Sequence, residues 1–412
     1  MGSGSDAINP HTDYSNPYVS VHTSAGMGIG IGFSLGRGNE LICAAVLELA
    51  PIVEGELLED VLFDFRRFWW LLANPVQARW IAPNAGPYHM AAGAIANALF
   101  DLWAKLEQKP MWEVLAEAET DLLLNMMSFR YVEHHLSEAQ ARDILDSGRN
   151  GVTERMNELA AVGLPSYFTT WIGTGTEELV HQMEEVRQGR GVSAFKMKVG
   201  KDIAHDVERC TAVRDRFGDS ITLLTDANQV FSVKGAVEWM KRLAEFDIGW
   251  IEEPLAPDLV DGHAAVREAL SSVGIDVVTG ENCLNSHVAA GFIGGGAVNR
   301  FQIDACRVMG PPENMLIMLI AAKYDVPICP HAGGSGLDEL VPHLAAWNYA
   351  RCSRSFDGVL VEQVGFCSEY FRAPSRVKDG RIAVPTAAGY IVGMREEARE
   401  RFAFPTGAAW QE

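Results

Sequence analysis

Short apolar runs recur along the middle of the chain, and each is closed by a charged residue or a histidine. The closing residues are Lys198 (with Lys196 before it), Asp226, Glu252, Glu281, Asp304, His331 and Glu362. From Lys198 onward they are separated by 28, 26, 29, 23, 27 and 31 residues. One strand, one helix and two loops take about that length, so the same point is reached in successive βα units. The pattern predicts strands at 166–172, 194–199, 221–225, 248–252, 276–279, 300–303, 326–330 and 358–362. Helical periodicity falls between several of them, at 177–188, 203–216, 233–245, 313–323 and 338–349. Strands alternating with helices in this number predict an α/β protein built on a (β/α)8 barrel rather than an open sheet. In such a barrel, residues that close the strands converge at the C-terminal mouth.

The first hundred or so residues follow a different pattern. Two strands, 18–23 and 28–35, precede helical periodicity at 41–50, 57–72, 90–107 and 111–118. Strands first and helices after predict a small α+β capping domain. The run Gly26-Met27-Gly28-Ile29-Gly30-Ile31-Gly32 misses the spacing of a nucleotide-binding loop and has no helix start at the right place, so close hairpin packing explains it better. Glu133, His134 and His135 lie in a charged, helix-like stretch, where adjacent histidines point different ways and read as surface. Residues 377–384 predict a hairpin around Asp379-Gly380. The expected organisation is a capping domain at 1–128, the barrel at 129–371, and a tail at 372–412 that returns to the capping domain.

Composition narrows the function. The chain has 412 residues, 48% of them hydrophobic and 21% charged, as expected of a globular protein with a large core. A net charge of −20 argues against nucleic acid or an anionic membrane as partner. An acidic protein that takes an anionic substrate needs a local positive element, such as a metal ion or buried lysines. The seven cysteines form no C-x-x-C pair and read as reduced thiols. The amino terminus has neither a basic region nor an apolar core typical of secretion, and a cytoplasmic location is expected.

Asp226, Glu252 and Glu281 offer hard oxygen ligands from three strand ends, a set suited to Mg²⁺. Lys196 and Lys198 share one face of their strand, with Phe195, Met197 and Val199 on the other. Mutual repulsion and a nearby metal are expected to lower the pKa of one lysine toward that of a neutral base. Asp304 and His331 end adjacent strands, where a carboxylate would orient the imidazole and favour its protonated form.

At these residues the chain resembles the mandelate racemase branch of the enolase superfamily, and within it the L-fuconate and fungal L-galactonate dehydratases. The likeness rests on Lys196-Met197-Lys198, Thr225-Asp226-Ala227-Asn228-Gln229, Trp250-Ile251-Glu252-Glu253-Pro254, Thr279-Gly280-Glu281, the stretch from Gln302 to Arg307, and Pro330-His331-Ala332-Gly333-Gly334. It extends outside the barrel to the stretch from Gly4 to Pro10, to Gly36-Arg37-Gly38-Asn39, and to Ser128-Phe129-Arg130-Tyr131. The resemblance implies Mg²⁺ held by Asp226, Glu252 and Glu281, with Lys198 as base and Lys196 as its electrostatic partner. It implies an Asp304–His331 dyad on the opposite face of the substrate, Glu362 protonated and donating to the substrate carboxylate, and Asn228 binding substrate. The implied reaction removes the C2 proton of an aldonic acid and expels the C3 hydroxyl, giving a 2-keto-3-deoxy acid. The alternatives are another acid sugar (galactonate, rhamnonate, galactarate), epimerisation, or a silent metal-binding relative. A small acid sugar is the expected partner, and a homo-oligomer the expected assembly. The chain departs from the subgroup at Leu284, Ser286 and Met309, around Trp171, and between Gly365 and Phe371; it also lacks the strand usual before Gly4, which reads as a truncated start.

Overall fold

The computed structural model describes residues 5–9, 14–75, 77–81, 84–171, 173–391 and 393–411. Gly4, Pro10 and Ile172, each the edge of a segment named above, lie outside that set. Two short strands open the chain, β1 (Tyr18–His22) and β2 (Met27–Ile31), paired antiparallel. They lie on the long helix Gly86–Leu106. The glycine run permits this close packing of the hairpin. A Cβ at Gly28 would stand 2.1 Å from Ala98 O, and one at Gly30 would stand 1.9 Å from Ala94 O. Only a bare backbone comes that close to a helix. The predicted helix at 57–72 is two pieces, Leu58–Phe63 and Phe65–Ala73, broken at Asp64. His134 and His135 sit in a turn, not a helix; His134 is exposed and His135 Nδ1 is 3.4 Å from the Tyr324 hydroxyl.

Six parallel strands then follow in order: β3 (Leu164–Thr170), β4 (Ala194–Lys198), β5 (Thr222–Asp226), β6 (Ile248–Glu252), β7 (Asp276–Thr279) and β8 (Arg300–Phe301). A seventh, β9 (Val361–Gln363), returns to pair with β3. The expected strand at 326–330 is irregular, because Pro327 and Pro330 have no N–H to give to a ladder. It still bridges its neighbours. Phe301 N donates to Pro327 O (3.0 Å), Cys329 N to Phe301 O (2.8 Å), His331 N to Ile303 O (2.9 Å), and Glu362 N to Pro330 O (3.1 Å). These bonds carry the ring from β8 to β9 and place His331 at the same end as the other closing residues.

Side chains sort by the pleat. Phe195, Met197 and Val199 join Leu223, Ile251 and Val277 under the outer helices, while Lys196 and Lys198 point inward. The tail pairs β10 (Val377–Lys378) with β11 (Arg381–Ile382), and β11 runs antiparallel to β3. Beyond it, Tyr390 N and Ile391 N both donate to Asp101 Oδ1 (2.8 and 2.9 Å) on the long capping helix, and Ile29 N donates to Asp101 Oδ2 (2.7 Å). One buried carboxylate thus ties the hairpin, the helix and the tail together. None of the helices among the described residues is long and apolar enough to cross a membrane.

Candidate metal centre and catalytic cavity

Strand register sets the centre. Lys198 pairs with Asp226, and Asp226 with Glu252, so three strand-closing residues stand side by side. Glu281 follows β7 after Gly280, whose φ of 137° and closeness to Gln302 O (2.2 Å from a built Cβ) admit no side chain. One carboxylate oxygen from each of Asp226, Glu252 and Glu281 lies within 4.8 Å of the other two, and all three residues are buried. Glu252 Oε2 and Glu281 Oε2 are buried and accept no hydrogen bond from any described residue, although the His331 ring stands 3.4 Å from Glu281 Oε2. Buried carboxylate oxygens left without donors cost several kcal/mol or more unless a cation faces them. The donor set therefore fits a hard divalent ion such as Mg²⁺.

The lysines lie beside it. Lys196 Nζ touches Glu252 and is 2.9 Å from Glu362 Oε1 and 3.3 Å from Asp226 Oδ2. Lys198 Nζ is 2.5 Å from Asp226 Oδ2. Burial works against both ammonium groups. Glu252 and Glu362 outweigh it at Lys196, and Asp226 does so at Lys198, so both are held above the ordinary lysine value. This runs against the expected lowering of one lysine: repulsion between the two is real, but the carboxylates are closer and more numerous, and the expectation also counted on a metal ion drawing those carboxylates away. Asp226 is correspondingly held down, burial being overcome by Lys198 and Lys196. Glu252 is pushed well above its usual range by burial, with Asp226, Glu281 and Glu362 adding to it against Lys196.

Across β3 and β9 from the lysines stands the histidine. His331 Nδ1 is 2.7 Å from Asp304 Oδ2, and Nε2 is 3.4 Å from Glu281 Oε2. Burial disfavours the imidazolium, yet Glu281, Asp304 and Glu362 raise it to about 10. Asp304 itself is fixed by the Cys306 N–H (2.6 Å). Glu362 also needs correcting. Burial pushes it up, but Lys196, His331 and Lys198 together hold it below its ordinary value. It accepts from Thr169 Oγ1 and from Ala332 N (2.9 Å). Its Oε1 lies 2.9 Å from Lys196 Nζ, an ion pair that favours the ionised carboxylate over a proton donor.

Lys198, His331, Glu281, Glu362 and Asn228 line one cavity of about 170 Å³, while Asp226, Glu252, Lys196 and Asp304 support them from beneath. Asn228 has φ of 44°, its N–H donates to Asp226 Oδ1 (2.9 Å), and its side-chain Oδ1 is buried without a partner. Sequence reasoning passed over Glu253, which also lines the cavity. It accepts from Gln229 Nε2 (3.0 Å) and Asn282 Nδ2 (3.0 Å), and burial next to Glu281 and Asp226 raises it to about 8. Its place beside Glu252 in the Trp250–Pro254 motif was the available signal. Tyr14 and Phe33 were also missed; with Trp171, from the loop already singled out, they form an aromatic wall, the Trp171 ring 5.9 Å from Lys198 Nζ. Tyr14 and Phe33 come from the capping segment, for which no spacing argument exists.

Comparison with known proteins agrees with this geometry. Residues 178–398 match the family described as "Enolase C-terminal domain-like". The chain is 38% identical to L-galactonate dehydratase of Hypocrea jecorina, covering 99% of this chain and 92% of that one. The crystal structure of human Mitochondrial enolase superfamily member 1 superposes with a TM-score of 0.97 at 39% identity, over 100% of this chain and 94% of that one. L-talarate/galactarate dehydratase from Salmonella typhimurium LT2, solved liganded with Mg and L-lyxarohydroxamate, shares the fold at a TM-score of 0.75 and 23% identity, over 97% of this chain and 88% of that one.

Proposed function

The chain belongs to the enolase superfamily, and on that footing we propose that it is a Mg²⁺-dependent dehydratase of a six-carbon aldonic acid, L-fuconate first among them. The observation that carries this reading is the cluster of three buried carboxylates from successive strands, with Lys198 and the Asp304–His331 pair opening onto the same cavity. Six carboxylates (Asp226, Glu252, Glu253, Glu281, Asp304 and Glu362) surround four basic groups (Lys196, Lys198, Arg307 and His331), which leaves room for a divalent cation in the charge balance. Bound by Asp226, Glu252 and Glu281, Mg²⁺ would supply positive charge to the substrate carboxylate as C2 ionises and would draw those anions away from the lysines.

The chain's own residues carry the protons. Lys198 Nζ, released from Asp226 and neutral, takes the proton from C2. Lys196, anchored by Glu362, keeps positive charge next to the developing enediolate. His331 is already protonated near neutral pH and held by Asp304, so it can give its proton to the departing C3 hydroxyl, which leaves as water. The resulting enol tautomerises to the 2-keto-3-deoxy acid. Each of these proton transfers typically contributes ~10²–10⁴-fold in rate. The aromatic wall of Tyr14, Phe33 and Trp171 limits water around the two groups.

Incubating the protein with Mg²⁺ and a library of acid sugars, with 2-keto acid formation as readout, tests the proposal. Turnover of a six-carbon aldonate, L-fuconate ahead of galactonate and galactarate, is the expected result. Exchange of the C2 proton without water loss would point to epimerisation instead. If the folded protein consumes no member of the library, the dehydratase reading fails.

A further inference from the structure

Arg307 ends the stretch from Gln302 to Arg307, yet the reaction as described makes no use of it. Its side chain lines the catalytic cavity and is half-buried. The cavity's other cations behave differently, since Lys198 and His331 each pair with site carboxylates. Arg307 forms no ion pair or hydrogen bond with any described residue, although four carboxylates, Asp6, Glu253, Glu281 and Glu362, line the same cavity. A guanidinium carries five donors in a fixed fork, and leaving them unsatisfied at a narrow cavity wall has a cost that a ligand can remove.

Its backbone is not free to swing away. Asn97 Nδ2 donates to both Ala305 O (3.1 Å) and Ile31 O (3.3 Å), and Cys306 Sγ lies 3.3 Å from Ile31 O. On the other side, Met309 N donates to Glu313 Oε2 (2.8 Å), and Val308 O lies so near the capping helix that a Cβ at Gly93 would be 2.3 Å away. The loop is therefore clamped on the seam between barrel and cap, where Phe33 and Leu35 of the capping segment also line the cavity. The metal-ligand carboxylates belong to β5, β6 and the end of β7, and none comes within ion-pair reach of Arg307.

We propose that Arg307 is the residue that binds the hydroxyl-bearing carbons of the substrate beyond the reacting C2–C3 pair. This rests on the acid-sugar reading. With the substrate carboxylate held at the carboxylate triad and C2 and C3 between Lys198 and His331, the rest of a six-carbon chain extends toward the cap. There Arg307 donates to the hydroxyl oxygen on C5. The chemistry selects acid sugars of five or six carbons over shorter ones.

A cycle crossing the protein change with the substrate change tests it. kcat/KM is measured for wild type, Arg307→Met and Arg307→Lys on L-fuconate and on a four-carbon tetronate, which lacks the C5 hydroxyl and the secondary C4 centre. A charged hydrogen bond to a hydroxyl predicts that Arg307→Met loses about 10–100-fold on the six-carbon acid and less than about threefold on the tetronate, with the lysine variant between. Equal losses on both substrates, as a purely structural role would give, overturn the proposal, and so does no loss on either. The second arm needs no turnover: calorimetric titration of Lys198→Ala protein, with Mg²⁺, by each acid. There Arg307→Met is expected to weaken the six-carbon acid selectively; an unchanged ratio of affinities overturns the assignment. If wild type turns over neither acid, the dehydratase reading falls, and the titration still decides the role of Arg307.

Discussion

Lys198→Ala is expected to lose acid-sugar dehydration by about 10²–10⁴-fold or more, and to lose exchange of the substrate C2 proton with solvent deuterium along with it. The Lys198 amine reaches the cavity wall, whereas Lys196 is held by Glu252 and Glu362, beneath the surface of the site. Alanine leaves Asp226 with Lys196 3.3 Å away, so the carboxylate triad keeps a counter-charge and Mg²⁺ affinity should be nearly unchanged. Mass spectrometry of substrate recovered from D₂O, together with a 2-keto acid assay, reads both quantities. Retention of C2 exchange at the wild-type rate would remove Lys198 from the role of base.

His331→Asn should lose dehydration by a comparable factor but keep C2 exchange. Asparagine can still hydrogen-bond Asp304, yet it cannot deliver a proton to the C3 hydroxyl. The step before water loss therefore survives and becomes reversible, and deuterium accumulates at C2 in unconsumed substrate. The imidazole is well placed for this, since Asp304 fixes Nδ1 and leaves Nε2 toward the cavity. A variant that dehydrates normally, or one that loses exchange and dehydration equally, would mean that His331 is not the acid. The contrast between the two variants matters more than either loss alone, because each removes a different proton transfer.

Much of this site was legible in the sequence, and for one reason. Barrel strands repeat at a nearly constant interval, so a residue type needed at the mouth recurs with the same period. Asp226, Glu252 and Glu281 could be found that way, and register then puts Asp226 beside both Lys198 and Glu252. The strand at 326–330 was placed correctly along the chain but lost its regular ladder to Pro327 and Pro330, a local effect that periodicity does not weigh. Charges were read less well than positions. The lysines and Glu362 were each judged against one kind of neighbour, whereas each sits among several, and distances of 2.5 to 3.3 Å decide which neighbour dominates. Tyr14 and Phe33 reach the cavity from the cap, and no pattern in the chain links them to the barrel. Their contribution depends on tertiary contacts such as those made by Asn97 and Asp101.

The central claim is that one divalent ion sits among Asp226, Glu252 and Glu281. Crystals grown with Mn²⁺ in place of Mg²⁺ and measured at the manganese edge test it directly. The account predicts a single anomalous peak per chain at the strand ends, within coordination distance (about 2.1 Å for Mg²⁺ itself) of an oxygen from each of the three residues. No peak there, with the carboxylates still paired to Lys196 and Lys198, would contradict it.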